Sequence, residues 1–118
     1  MVTVADVVTQ LDLQVMTPGV TLEASITGGY ASDLLSCVMA GAQAGNVWVT
    51  LQAHPNVIAV ASLLELSCVI IAEGAPVEQT ALEKAEQEGI PVLSASLATF
   101  SVVERLSELG IHGNGRPA

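Results

Sequence analysis

From Asn46 onward the chain repeats one unit three times: a short apolar strand, a polar turn and a helix. The strand cores are residues 47–51, 69–72 and 91–94, each followed by roughly three turns of helical pattern. That order belongs to a single α/β domain of three layers, a mainly parallel sheet flanked by helices. Sheets of this kind bind ligands beyond the carboxyl ends of their strands. The residues just past Leu51, Ala72 and Ser94 are therefore where a site is sought.

The segments before the repeat fit the same domain. Residues 3–11 read as a helix, with Thr3 as its cap and Asp6 at the capping-box position. Val4, Val7, Val8 and Leu11 share one face of it. Residues 13–16 and 22–27 read as short strands, separated by the turn Thr17-Pro18-Gly19 and ended by Gly28-Gly29. Ser32 or Asp33 is expected to cap a helix running to about Gln43 and closed by Gly45. The later helices are expected at 56–66, 77–88 and 97–109. Residues 1–110 form the domain, and 111–118 read as a flexible C-terminal tail.

Composition sets the partners such a chain can take. It carries 12 acidic residues against Lys84, Arg105 and Arg116, a net charge of −9. That surface repels phosphate backbones and anionic lipid, so neither nucleic acid nor a membrane surface is an expected partner. The uncharged stretch 34–64 is too often broken by Gly, Pro and polar residues to be a membrane span. No signal peptide is visible, and a cytoplasmic protein is expected. Cys37 and Cys68, both expected to be buried, form no metal-ligand pattern. No metal or cofactor is expected. The apolar content of 51% exceeds what a monomer of this size needs, which points to a homodimer.

One helix sharpens that expectation. Val57, Ile58, Val60, Ala61 and Leu64 belong to a helix that is apolar nearly all round, so it is covered on more than one side. Either a second subunit covers it, making these five residues a dimer interface, or the N-terminal helix does.

Several polar groups gather at predicted strand ends. His54, between Gln52 and Asn56, is placed to act as a general base or ligand donor. The plainer reading is a loop His that orients the turn, with Asn56 as helix cap. Gly28 and Gly29, before Ser32 and Asp33, are placed to receive an anion at a helix start, or simply to make a turn and a cap. No basic residue stands nearby. Glu73 and Ser94 complete a rim of the kind small molecules use. No nucleophile–base–acid set is evident, so a reaction resting on His54, alone or with Asp33, is the weakest of the readings.

The sequence from Ile26 to about Leu109 resembles DRTGG domains. The likeness lies in the glycine pair with Asp33-Leu34-Leu35, the strand 47–51, His54-Pro55-Asn56-Val57, Val69-Ile70-Ile71-Ala72-Glu73-Gly74, and the helix ending in Gly89 before the Pro91-led strand. Such domains occur alone, in phosphotransacetylases and in regulatory pyrophosphatases, and are similar to the N-terminal domain of HPr kinase/phosphorylase. The resemblance implies a non-catalytic regulatory or dimerisation module, a bacterial accessory protein to a metabolic or signalling enzyme. In some settings it implies contact with an adenine nucleotide. Two departures limit the transfer. Ala53-His54-Pro55 stands where many members have Gly-Asp-Arg, so no anion-pairing Arg is present. Glu73-Gly74 stands where they have Gly-Gly, adding negative charge to the rim. The P-loop of the kinase is absent.

Overall fold

The computed structural model describes residues 1–115. In chain order these form α1 (Val4–Leu11), β1 (Gln14–Val15), β2 (Gly28–Ala31), α2 (Leu35–Gly41), β3 (Asn46–Thr50), α3 (Pro55–Leu63), β4 (Cys68–Ile71), α4 (Gln79–Glu88), β5 (Val92–Ser94) and α5 (Thr99–Glu108). The sheet order is β1-β5-β4-β3-β2. Strands β2 to β5 are parallel and β1 runs antiparallel on the β5 edge. The mainly parallel three-layer α/β architecture expected from the repeat is the architecture found.

Side-chain alternation explains the layers. Every residue of β3 and β4 is buried, as central parallel strands require. Val47, Val49, Cys68, Ile70 and Leu93 point to the face covered by α1 and α5. Trp48, Val69, Ile71 and Val92 point to the face covered by α2, α3 and α4. The Trp48 indole is wholly buried, and its Nε1–H donates to the Ser32 carbonyl at 2.9 Å. A buried indole needs such a partner.

The helix apolar all round finds its cover inside the chain. Val57, Ile58, Val60 and Ala61 are buried in the core shared with α2, α4 and the sheet. Leu64 is half-buried against the same core. The expected interface made of these five residues is thus corrected, because side chains buried at home offer nothing to a partner. The covering helices are α2 and α4, whereas α1 lies on the opposite face. What α3 does expose is Leu63.

Four local expectations also change. The strand expected at 22–27 is instead an irregular segment that satisfies the start of α1. The carbonyls of Leu22 and Ala24 accept from Ala5 and Val4, two first-turn N–H groups that no helix can pair internally. The strand begins where the glycine turn was expected, at Gly28. Helix α2 starts at Leu35 with no side-chain cap, so neither Ser32 nor Asp33 caps it. Its seven residues bury only Val38, which leaves Cys37 exposed, contrary to expectation. Helix α1, with its Thr3–Asp6 capping box, is as expected.

The C-terminal segment is a further correction. Residues 111–115 are not loose: Ile111 is buried, Gly29 N–H donates to the His112 carbonyl at 3.0 Å, and Gly113 forms a parallel bridge with Gly29. Residues 116–118 of the expected tail lie outside the described residues. Among those described, no helix is long and apolar enough to cross a membrane.

Candidate functional site

Parallel pairing brings the ends of β2 to β5 to one edge, and with them Ser32, Asp33, Gln52, His54, Asn56, Glu73 and Ser94. Gly28 and Gly29 are at the other end of β2, the amino edge, and do not join them. The strand-end positions singled out from sequence gather at this edge, apart from the two glycines, and most of their polar groups are bonded within the chain.

Asp33 accepts from the Thr50 hydroxyl and from the Leu51 N–H, both at 2.7 Å, pinning the loop after β2 to the end of β3. The Ser32 hydroxyl accepts from Leu34 N–H. His54 is itself the cap of α3: its Nδ1 accepts from Asn56 N–H at 3.2 Å, and Pro55 occupies the first helical position. Asn56, expected as the cap, contributes only that N–H. With Nδ1 accepting, Nε2 bears the proton and donates to Gln52 Oε1 at 3.0 Å. A general base needs a free lone pair, and that of His54 is engaged. The plainer of the two readings of His54 is the one the geometry supports.

A doubly wound sheet opens its crevice where neighbouring connections leave for opposite faces. Here that divergence falls between β4, which leads to α4, and β5, which leads to α5. The chain laces it shut. Glu73 N–H donates to the Leu97 carbonyl and Gly74 N–H to that of Ala95, both at 2.8 Å. Glu73 Oε2 accepts from Thr99 N–H at 3.0 Å, at the start of α5. Glu73 adopts φ 63°, a conformation that costs a non-glycine residue of order 1 kcal/mol or more. These three bonds hold it there. Beside the closure lies a polar hollow of about 400 Å³ lined by Asp12, Gln14, Gly74, Ser94 and Ser96. All but Ser94 are exposed to solvent.

A second concavity was not foreseen. A groove of about 360 Å³ runs between β2 and α5 on the two-helix face. Its walls are Gly29, Tyr30, Ala31 and Val49 on the sheet, Val103, Leu106 and Ser107 on α5, and Ile111 to Asn114. It exists because the C-terminal segment closes over the start of β2. Asn114 Nδ2 donates to the Gly41 carbonyl at 3.0 Å and to the side chain of buried Asn46. A Cβ on Gly28 would stand 2.9 Å from the His112 carbonyl oxygen. That close approach, not an anion-binding turn, is what the first glycine of the pair is for.

The remaining chemistry is quiet. Burial pushes the Cys68 thiol up to about 12, which keeps it protonated and unreactive at neutral pH. Among the described residues, no three His, Cys, Asp or Glu side chains are grouped so as to hold a metal ion.

The fold and its rim define a small three-layer α/β domain whose strand-end loops are bonded to each other. The DRTGG domain model matches residues 13–109, and the chain belongs to that family. Among solved structures it is similar to the CBS and DRTGG domains of the regulatory region of Clostridium perfringens pyrophosphatase, complexed with the activator diadenosine tetraphosphate. The TM-score is 0.68 at 10% identity, over 98% of this chain and 53% of that one. The likeness is one of fold, and this chain spans about half the length of that neighbour. No curated protein matches the chain.

Proposed function

We propose that this chain is a non-catalytic regulatory module, a cytoplasmic accessory to a metabolic or signalling enzyme, that acts as a homodimer. The observation that carries the reading is the engagement of Asp33, His54 and Glu73 within the chain. The polar groups that would do chemistry at the strand ends hold loops together instead. A module built this way works through its surfaces. Family membership and the regulatory setting of the structural neighbour support the same reading. Sedimentation velocity at micromolar concentration tests it. A dimer is expected, and a monomer contradicts the pairing.

A second reading is a small-molecule site, for an adenine nucleotide, at the carboxyl rim. It is favoured by the polar hollow at Asp12, Gln14, Ser94 and Ser96 and by the dinucleotide in the neighbour's regulatory region. Among the described residues, no lysine or arginine lines that hollow, so there phosphate groups would have to be paired by hydroxyls and backbone. Calorimetry with adenosine mono- and triphosphate and with diadenosine tetraphosphate tests it. Heat abolished by Ser94→Asp would support the rim. No heat with any of the three removes it.

A further inference from the structure

Among the described residues, none that lines the groove beside β2 is Asp, Glu, Lys or Arg, although the chain carries 12 acidic residues. A second copy brings the same charge of −9, and like charges brought face to face oppose pairing. Two copies therefore meet at least cost where each shows none.

The same layer of helices carries an exposed aromatic side chain. Phe100, the chain's single Phe, is 83% exposed on α5. It lies one turn before Val103, which is 40% exposed and forms a wall of the groove. A knob and a hole on one face are what a two-fold interface needs, since each copy then fills the other. Glu104, four residues after Phe100 and exposed, neighbours that ring on the helix surface and is not one of the groove walls.

We propose that two copies of this chain pair through this face, Phe100 of each seated in the groove between β2 and α5 of the other. The proposal rests on the homodimer reading above and assigns its surface. Two buried Phe rings remove roughly 300–500 Å² from water. A specific interface needs about 1,200 Å² or more, so the walls around Ala31 and Val103 must be covered along with the rings.

Sedimentation velocity on the full chain tests it with two single variants on opposite faces. Phe100→Asp is expected to weaken pairing about thirtyfold or more, the loss typical of a central aromatic anchor. Its far-ultraviolet circular dichroism is expected to be unchanged, because an exposed side chain holds nothing in the monomer. Leu63→Asp alters the exposed apolar residue of α3, 68% exposed on the other face, and is expected to leave the dimer intact. A dimeric Phe100→Asp chain, or dissociation by Leu63→Asp alone, overturns the surface while the homodimer reading stands. A monomeric wild type overturns both.

Discussion

Three helices cover one face of the sheet and two cover the other, although the strands between them are equally apolar on both sides. On the three-helix face the four strands β2 to β5 run in sequence order, so α2, α3 and α4 fall side by side and leave no gap. On the other face α1 and α5 arrive from the two ends of the chain, and β2 is left without a helix. Among the described residues, the C-terminal segment reaches the start of β2, where Gly113 bridges Gly29. The difference shows that an apolar strand pattern requires cover without saying who provides it. On the first face three helices provide it, with Leu34, Met39 and Leu63 still exposed around α2 and α3, and on the second the described residues leave a groove beside β2.

Substitutions can break this contrast. The largest effect is expected from Trp48, wholly buried under the three-helix face. Trp48→Ala should cost about 3–5 kcal/mol in urea unfolding, whereas Phe100→Ala, measured where the chain is monomeric, should change stability by less than about 0.5 kcal/mol. Equal costs would show that Phe100 belongs to the core and that the two faces are alike.

Next comes the segment that half-covers the second face. Gly28→Ala forces a Cβ against the His112 carbonyl and should cost about 1–3 kcal/mol. Amide exchange at Gly29, whose N–H is held by that carbonyl, should quicken with it. Unchanged exchange would mean that the segment's position does not depend on Gly28.

At the rim, His54→Ala removes the cap of α3 and should cost about 1 kcal/mol, with most of it restored by Asn, which caps as well. If Asn restores nothing, the His ring acts through something other than its acceptor nitrogen.

The smallest effect concerns α1. Hydrogen bonds from the Thr3 backbone N–H, and then from its hydroxyl, hold the Asp6 carboxyl below the usual carboxylate range. A depressed folded-state pKa stabilises above the unfolded value and loses that contribution as pH falls through the folded value. The melting-temperature gap between wild type and Asp6→Asn should therefore narrow on acidification below the ordinary carboxylate range. A gap that stays constant would remove the carboxylate from the cap.

Most of the fold could be read from the chain because β3, β4 and β5 announce themselves as apolar runs bounded by turns, and α1 by its capping box. The two misread strands have a common cause. Residues 22–27 alternate weakly and contain good strand formers, but their carbonyls are needed by the first turn of α1. Gly28-Gly29 has the composition of a turn, yet it forms a strand because His112 and Asn114 pack where side chains would be. Neither fact is local in sequence, so no window of residues contains it.

The site was legible in location and not in state. Spacing placed Asp33, His54 and Glu73 at the strand ends correctly. That each is bonded to its own chain depends on Thr50, Asn56 and Thr99, whose positions only the folded loops fix. The groove left no signal beyond Phe100 and Val103 on one side of α5, a pair that reads as core until its exposure is known.

On the proposed pairing, the two-helix face is the working surface and the carboxyl rim is not. A dilution series followed by amide NMR tests it directly. From millimolar to low micromolar protein, the resonances of Gly29 to Ala31, Val103 to Ser107 and Ile111 to Asn114 are expected to move together. Those of Asp33, His54 and Glu73 are expected to move less. Movement centred on the rim or on α3, or no movement at any concentration, would contradict the account.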